Sequence, residues 1–338
     1  MTTGFAARMA ERLDDALGGL LEPGRAVALV NFHNHHNPGD NAIWLGTLAV
    51  LERLRVPVGY ACTWSCFSEA ALQRAVGDGP LLLNGGGTFG DLYAGQQGLR
   101  EYVLERCTDR RVIQLPQSIW FERRENRDRL RRLCAAHPAF TLLVREHQSF
   151  ETAQRWFDVP VLLCPDMAFG LGPLHEADPP QSPLVWIARR DREAVGRAPP
   201  PAALPVFDWL DAPLEDGMSP ATLRIFRLNQ RLLARLRADP RQIERRWALL
   251  AWTFRPLAES WLRRGTRLVR SADVVVTDRL HAHIFAIMLG LPHVVLDNSY
   301  GKTRSTFETW THASGLGHWA DTTDEALSLA AYLIRARR

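Results

Sequence analysis

Short apolar runs alternate with stretches of helical periodicity along most of this chain, which is typical of βαβ units with helices on both faces of a parallel sheet. The strands predicted in the first half are Ala26–Phe32, Val58–Cys62, Pro80–Leu83, Arg111–Pro116, Phe140–Arg145 and Val159–Leu163. The helices predicted between them are Ala42–Leu54, Ser68–Val76, Leu99–Cys107, Glu122–Cys134 and Ser149–Phe157. This order predicts one Rossmann-like domain over residues 1–170.

The alternation returns after residues 171–183, a stretch rich in glycine and proline that we interpret as an interdomain linker. The second Rossmann-like domain, 184–338, has a predicted helical expansion at 219–269. Its predicted strands are Leu184–Ala188, Asp273–Thr277 and His293–Asp297, and its predicted helices are Ala221–Arg237, Ile243–Val269, Leu280–Leu289 and Asp324–Arg335, with breaks at Pro240 and Pro256. The fold class is therefore α/β, with two Rossmann-like domains facing a cleft where a ligand binds at the carboxyl ends of the strands.

Residues Met1–Leu21 carry apolar side chains at helical spacing and predict an amphipathic helix. We expect this helix to pack on the body of the protein; a peripheral position at a membrane surface is the alternative. No apolar stretch reaches the length of a membrane span, and the charges of the first segment do not fit a signal peptide. Five cysteines without a C-x-x-C pair predict buried thiols in a reducing compartment, so we expect a cytoplasmic protein.

The chain has 338 residues, is 46% hydrophobic and carries a formal charge of +4, which excludes extensive disorder. Of its 41 basic residues, all but Lys302 are arginines. The arginine-rich run Phe121–Leu133 contains Glu125 and Asp128 four residues before Arg129 and Arg132. These i,i+4 pairs predict a solvated helix face rather than a nucleic-acid surface, so no nucleic-acid partner is expected.

Polar loops follow several predicted strands. The first, Asn31–Asn41, reads NFHNHHNPGDN and either forms a βα turn capped by Asp40 or Asn41, or binds substrate. Its three histidines suggest a metal, but we predict none because no carboxylate with ligand spacing is evident nearby. The second, Leu83–Asp91, has three consecutive glycines whose backbone can approach a ligand, and it matches neither a dinucleotide nor a P-loop pattern. The strand-end residues Gln114–Ser118, Arg145 and Asp166 predict the rim of one cleft.

The segment Val274–His283 places Arg279 and His281 in the first turn of a helix, where free N–H groups and the helix dipole favour an anion. His283 points to the opposite face and is predicted to be a core histidine. Lys302 lies in a glycine-containing loop beyond the next strand, within reach of the same anion site.

Taken in order, these motifs resemble the polysaccharide pyruvyl transferase family. The residues that carry the resemblance are Asn37, Gly39 and Asp40, Gly85–Asp91, Leu115–Ser118, Val144–Ser149, Pro165–Asp166, Thr277–His281, Gly290–Pro292 and Tyr300–Lys302. The resemblance implies a GT-B-like fold and transfer of pyruvate from phosphoenolpyruvate onto a sugar diol as a ketal. It also implies that Arg279, Leu280 and His281 bind the anionic donor, together with a further arginine at Arg145, Arg189 or Arg190.

From this resemblance we assign expected roles. The donor-binding residues are Arg279, His281, Lys302, Arg145 and Arg189; the catalytic residues are His281, Asp40 and Asp91; the acceptor-binding residues are Asn37, Gly39, Asn41, Gly86, Gly87 and Gln117. No cofactor is expected beyond phosphoenolpyruvate as donor substrate, and the acceptor is a sugar or a lipid-linked oligosaccharide. The alternatives are a GT-B glycosyltransferase that uses a nucleotide sugar and a non-catalytic sugar-binding module. The sequence leaves the oligomeric state open.

Overall fold

A computed structural model describes residues 3–175, 178–191, 193–198, 201–202 and 204–337. Residues 1 and 2 of the predicted amphipathic segment and residues 176 and 177 of the predicted linker lie outside the described residues. Within the described part, the chain forms two parallel sheets flanked by helices. This confirms the α/β class; the division into two domains and the GT-B-like arrangement stay predictions.

The first sheet has seven strands, in the order β2-β1-β3-β5-β6-β7 with β4 paired to β5. Its strands are β1 (Val27–Val30), β2 (Val58–Cys62), β3 (Leu81–Leu83), β4 (Gly86–Gly90), β5 (Val112–Trp120), β6 (Phe140–Val144) and β7 (Val161–Leu163). The helices of this half are α1 (Thr3–Gly18), α2 (Pro38–Arg53), α3 (Glu69–Val76), α4 (Ala94–Arg106), α5 (Arg124–Ala136) and α6 (His147–Trp156), and a 3₁₀ helix spans Met167–Leu171. All of the paired strands run parallel.

The second sheet has five strands, in the order β12-β11-β10-β8-β9. They are β8 (Ser182–Ile187), β9 (Val206–Phe207), β10 (Ala272–Thr277), β11 (His293–Val295) and β12 (Gly317–Trp319). The helices are α7 (Pro220–Ala238), α8 (Ile243–Trp252), α9 (Phe254–Arg270), α10 (Leu280–Met288), α11 (Lys302–Thr309) and α12 (Thr323–Arg337), with 3₁₀ helices at Pro240–Gln242 and Thr311–Ser314. Strands β9 and β12 and helix α11 were not predicted.

Several predicted boundaries were wrong. Helix α2 begins at Pro38 rather than Ala42, α4 begins at Ala94 rather than Leu99, and β5 continues to Trp120 rather than ending at Pro116. The glycine loop of the first half is partly a strand, β4, whose Gly90 packs so closely on the Trp120 carbonyl that a side chain there would overlap it. The predicted long helix 243–269 ends at Trp252 and resumes at Phe254, so the break precedes Pro256. Pro256 falls in the first turn of α9, where a missing N–H is tolerated.

The largest apolar core is shared by the two halves of the chain. It contains Phe5 and Trp44 from the first half and Trp261 and Phe285 from the second. Helix α9 packs against α2, and α8 packs against β2 and α3. The helical expansion therefore contacts the first sheet as well as its own, because its apolar faces cover helices of both halves.

Helix α1 buries its apolar face in this core, where the ring of Phe5 meets Phe169 edge to face at 6.3 Å. Membrane association of this segment stays a prediction. In the described part of the chain, no helix combines the length and apolar character that crossing a bilayer requires. All five cysteines are buried and unpaired, as predicted.

The ion pairs predicted on the arginine-rich helix α5 were wrong in detail. Asp128 pairs with Arg127 at 2.8 Å and with Arg124 at 3.5 Å, rather than with Arg132. Arg129 reaches across to Glu101 of α4 at 2.8 Å instead of Glu125. A neighbouring helix thus supplies a partner that local spacing could not reveal.

Candidate functional site

A cavity of about 490 Å³ brings together most of the predicted site residues. It is lined by seven of them: Asn37, Asp40, Gly87, Arg145, Arg189, His281 and Lys302. Its remaining walls come from His33, His35, Thr88, Tyr93, Gln96, Asp191, Glu193 and Leu210. A larger cavity of about 830 Å³ lies between residues 207–219 and helix α9 and holds none of the predicted site residues. The smaller cavity is therefore the candidate site.

The loop after β1 is held in place by the start of helix α2. Asn37, rather than Asp40 or Asn41, caps this helix: its Oδ1 accepts from the Gly39 N–H at 3.1 Å, and Pro38 occupies the first helical position. Asn41 is fully buried and donates to the carbonyls of His35 and Asn37, both at 2.8 Å. Asn41 thus braces the loop from below and does not line the cavity.

Asp40 faces two histidines of its own loop. Its carboxylate lies 3.5 Å from Nδ1 of His33 and 3.1 Å from Nε2 of His35, and it accepts from the Asn37 amide at 2.9 Å. Burial raises the pKa of Asp40, but the hydrogen bonds from His33 and His35 outweigh it and hold that pKa well below its usual value. Asp40 is therefore ionised in the resting site.

The same three side chains could hold a metal, since their donor atoms lie within 4.8 Å of one another. The sequence argument that no carboxylate lies near these histidines was wrong, because the first turn of α2 carries Asp40 back to them. However, the backbone N–H of Asn37 donates to Nδ1 of His35 at 3.3 Å. A neutral His35 then carries its proton on Nε2, facing Asp40, which favours a hydrogen bond over metal coordination.

The glycine loop after β3 lies beside the cationic side chains. A Cβ on Gly87 would come within 3.2 Å of Arg145 Nη2 and 3.7 Å of Lys302 Nζ, so the missing side chain leaves this space open. Gly86 has a φ of +128° and lies near His33 and Asp40 without lining the cavity. Gln117 is buried beneath the loop; its Oε1 accepts from the Thr88 N–H and its Nε2 donates to the Asn84 carbonyl, both at 2.9 Å. Gln117 therefore shapes the loop and is not placed to touch a ligand.

Arg145, Asp166 and His281 form a buried cluster on one wall. Arg145 donates to Asp166 Oδ2 at 2.6 Å and to Ser118 Oγ at 2.9 Å, and both partners of the ion pair are 1% exposed. Nε2 of His281 lies 3.6 Å from the same carboxylate. Burial raises the pKa of Asp166, but His281 and Arg145 more than offset it, and that pKa falls below its usual value. The carboxylate thus orients the guanidinium and lies beside the imidazole, whose Nε2 is buried without a hydrogen-bond partner among the described residues.

A second cluster surrounds Glu193. Its carboxylate forms ion pairs with Lys302 and Arg189 and accepts from the hydroxyls of Tyr93 and Tyr300, each at 3.2 Å. Burial lowers the pKa of Lys302 to about 8, against the opposing influence of Glu193. Burial alone would raise the pKa of Glu193, but Lys302 and Arg189 lower it to about 2. In the resting site, Lys302 and Arg189 therefore share one ionised carboxylate.

Lys302 is the first residue of helix α11 rather than part of a loop. The start of α11 is fixed by Gly301, which has a φ of +82°, and by the Asn298 side chain, which accepts from the Lys302 N–H at 3.1 Å. Together with α2, α4 and α10, this gives four helices of the described chain that begin at the cavity. Each start contributes a positive dipole end.

Arg279 lies behind the cavity wall rather than in it. Its guanidinium pairs with Asp208 at 2.5 Å and Asp191 at 3.5 Å and lies over the ring of Trp209. Of the three arginines left open by the sequence, Arg145 and Arg189 line the cavity, whereas Arg190 pairs with Asp211 at 2.6 Å and is half exposed. The direct cationic lining is thus Arg145, Arg189 and Lys302.

Asp91 lies outside the cavity. Its carboxylate accepts from the backbone N–H groups of Glu122 and Arg123, both at 2.9 Å, and from the Asn126 side chain at 3.1 Å. It is the cap of the turn that leads into α5, so the structure does not place it with Asp40 and His281. His283 is in the core, bonded to His293 at 2.6 Å and Thr311 at 2.7 Å, as predicted.

Sequence reasoning missed Glu193, Tyr93 and Asp191. Glu193 and Asp191 follow β8 in a segment crowded with arginines, and these two carboxylates at a strand end were the available signal. Tyr93 follows the glycine loop, and no local pattern marks it.

Comparisons with known proteins agree with the resemblance. A family model described as "Polysaccharide pyruvyl transferase" matches residues 37–300. The chain is 32% identical over 320 residues to "Pyruvyl transferase 1" of Schizosaccharomyces pombe, covering 90% of this chain and 75% of that protein. It is 30% identical over 304 residues to EpsO of Bacillus subtilis, whose name as a pyruvyl transferase is provisional, with 88% and 90% covered.

A solved structure shares the fold. It is the crystal structure of an uncharacterized protein from Klebsiella pneumoniae, with a TM-score of 0.60 at 18% identity, covering 93% of this chain and 99% of that one. At this identity the similarity concerns the arrangement of the chain alone.

Proposed function

Because this chain belongs to the polysaccharide pyruvyl transferase family, we propose that it transfers pyruvate from phosphoenolpyruvate onto two hydroxyls of a sugar as a ketal and releases phosphate. Membership makes the chain a transferase and implies a sugar or oligosaccharide acceptor. The acceptor we propose is a sugar diol in a precursor of a surface or exopolysaccharide. The fold we propose for this activity is the GT-B-like pair of domains 1–170 and 184–338 around the cavity.

The observation that carries the proposal is the convergence of Arg145, Arg189 and Lys302 on one small cavity. Phosphoenolpyruvate presents a carboxylate and a phosphate in a small volume, and guanidinium groups bind both in directed geometry. Arg145 uses Nε and Nη1 for its bonds to described residues, so Nη2 beside Gly87 is available to an anion. Nε of Arg189 is buried without a partner among the described residues.

His281 is the general acid in this scheme. It lines the cavity, and its Nε2 lies 3.6 Å from the Asp166 carboxylate. A proton moves from His281 to C3 of the enol, and C2 becomes an oxocarbenium-like centre. The cations and helix starts around the cavity hold the donor's carboxylate and phosphate during this step.

Asp40 is the base toward the acceptor. It lines the same cavity and remains ionised because His33, His35 and Asn37 donate to it. As a sugar hydroxyl attacks C2, its proton passes toward Asp40 and a C–O bond forms. The C2–O bond to phosphate then breaks, a second hydroxyl closes the ketal, and its proton leaves with the phosphate. The proton on Asp40 returns to His281 through solvent, which restores both groups, and the sum is phosphoenolpyruvate plus diol giving ketal plus phosphate.

The test is turnover with a defined donor. The protein is incubated with phosphoenolpyruvate and glycosides of galactose, mannose and N-acetylmannosamine in buffer containing EDTA, since no step uses a metal. We expect phosphate release that depends on one acceptor, and a product whose mass increases by one pyruvyl ketal. Acceptor-dependent turnover of a nucleotide sugar, with none of phosphoenolpyruvate, would overturn the proposal.

A further inference from the structure

An aromatic groove lies on the side of helix α4 that faces away from the cavity. It has a volume of about 530 Å³, with Trp64, Phe67 and Tyr102 as its walls and Gly95 and Gly98 of α4 as its floor. Trp64 and Tyr102 are each 44% exposed. Large exposed aromatic side chains gathered in one concave surface are typical of a ligand-binding groove.

The two exposed rings are held from behind. The indole of Trp64 lies against Gly95, where a Cβ would come within 3.0 Å of Cδ2 and Cε2. The ring of Tyr102 meets Phe67 edge to face at 5.9 Å, and its hydroxyl donates to Glu69 at 2.5 Å. Their exposed faces are therefore fixed before any ligand arrives, which reduces the entropy that binding would otherwise cost.

The floor of the aromatic groove is bare backbone. Glycine inside a helix is less favourable than alanine. Gly98 nevertheless stands in α4, although a Cβ there would meet no atom of the described protein within 4 Å. Packing within the chain therefore does not require glycine at this position, and the space above it is open to a ligand.

The aromatic groove and the candidate cavity share the first turn of α4. Tyr93 and Gln96 line the cavity, while Ala94 and Gly95 line the groove. The two sites are thus separated by about the width of one helix, roughly 10 Å. Both lie beyond the carboxyl ends of neighbouring strands, since Trp64 follows β2 and the Asn31–Asn41 loop follows β1, its partner in the sheet.

We propose that the aromatic groove binds the part of an oligosaccharide acceptor that extends away from the sugar in the cavity. Aromatic rings carry partial negative charge on their faces. This charge attracts the C–H groups on the face of a pyranose ring. The inference rests on the proposed function, which places the reacting sugar in the cavity so that the rest of the saccharide extends toward the groove. It names the acceptor as an oligosaccharide rather than a single sugar.

The test compares acceptors of two lengths. For whichever of galactose, mannose and N-acetylmannosamine is accepted, KM is measured for the methyl glycoside and for a tetrasaccharide that ends in the same sugar. We expect the wild-type KM to be about fivefold or more lower for the tetrasaccharide, consistent with about 1 kcal/mol of stacking. The ratio of the two KM values, methyl glycoside over tetrasaccharide, should approach one in Trp64→Ala and Tyr102→Ala. In both variants kcat for the methyl glycoside should be unchanged.

Two exposed aromatic residues elsewhere serve as matched controls. Trp252 and Tyr332 are 57% and 60% exposed, and Trp252→Ala and Tyr332→Ala should keep the wild-type ratio. A ratio near one in the wild type, a ratio unchanged in Trp64→Ala and Tyr102→Ala, or a change of oligomeric state in these variants would overturn the proposal.

A binding measurement separates this inference from the proposed function. Saturation-transfer NMR with the three tetrasaccharides, without phosphoenolpyruvate, should show contact in the wild type and its loss in Trp64→Ala. If a tetrasaccharide contacts the wild-type protein but no acceptor is turned over, the result would count against the proposed function and would support saccharide binding in the groove. Equal contact in the wild type and in Trp64→Ala would overturn the proposal that the groove binds the acceptor.

Discussion

Gly39 packs directly against the imidazole of His281, so that a Cβ on Gly39 would overlap the ring atoms Cγ and Nδ1. This contact joins the start of α2 to the start of α10, and it positions a side chain from the second half of the chain against the loop that carries Asp40. No other conformational demand explains the glycine, because its φ lies outside the left-handed region.

Gly39→Ala should therefore displace His281 and lower kcat for phosphate release about tenfold or more, since small misplacements of a proton donor are costly. Gly19→Ala is the matched control, because a Cβ there makes only ordinary contacts. Turnover and thermal unfolding of both variants are compared. Full activity in Gly39→Ala would show that the close contact does not position the imidazole for catalysis.

Asp40→Asn should lower kcat about 100-fold or more with the fold intact, because the base toward the acceptor is lost. Asp91→Ala, in contrast, should retain turnover and lose about 1 kcal/mol of unfolding free energy, since it leaves the backbone N–H groups of Glu122 and Arg123 without their side-chain acceptor. Phosphate release and urea unfolding distinguish the two. Equal losses of turnover would contradict the separation of these two carboxylates.

The pH dependence of kcat/KM for phosphoenolpyruvate should show an alkaline limb near pH 8. The pKa of Lys302 is lowered to about 8 by burial, so the ammonium is charged below that pH and becomes neutral above it. Only the charged form attracts the donor, and kcat/KM should therefore fall as pH rises. Lys302→Arg keeps the charge and should abolish the limb, which a profile over pH 6–10 would show. Persistence of the limb in that variant would assign it to another group.

Glu193→Gln should make the stability of the protein depend on anions. Removing this carboxylate leaves Lys302 and Arg189 as buried cations without their partner, which lowers stability. Inorganic phosphate can replace the missing charge, so it should raise Tm more in the variant than in the wild type. Glu259→Gln, at an exposed pair with Arg255, is the control and should respond like the wild type. An equal rise in Tm on adding phosphate in all three proteins would contradict the pairing of Glu193 with Lys302 and Arg189.

Arg279→Ala should destabilise the protein by about 3–5 kcal/mol, because Asp208 would be left buried without its partner. Arg190→Ala, which breaks the exposed pair with Asp211 nearby, should cost less than about 1 kcal/mol. Urea unfolding measures both. A small loss for Arg279→Ala would place that guanidinium in solvent or in contact with substrate instead of within the wall.

The sequence predicted the alternation of strands and helices well, because buried parallel strands have a strong pattern. It failed at β4, whose glycines give no apolar signal, and at α11, which spans only Lys302–Thr309 and begins at a left-handed Gly301. In both places the conformation depends on packing by distant residues, such as the Trp120 carbonyl against Gly90.

The candidate site was predictable where its residues follow strands in sequence motifs. Asp40, Arg145, His281 and Lys302 all line the cavity. Their partners were not predictable: Glu193 meets Lys302 across 109 positions of the chain, and Arg279 turns away toward Asp208. Which cation faces a ligand depends on these long-range pairs, and spacing along one sequence does not contain them.

The apolar core shared by α1, α2, α9 and α10 couples the stability of the two sheets. A chain cut within the predicted linker 171–183 would expose Trp44 in one fragment and Trp261 in the other, so neither piece should fold alone and the protein should melt in one cooperative transition. The same coupling opposes a wide hinge motion about the cavity. We therefore expect the two halves to stay packed together while substrates enter and leave the cavity.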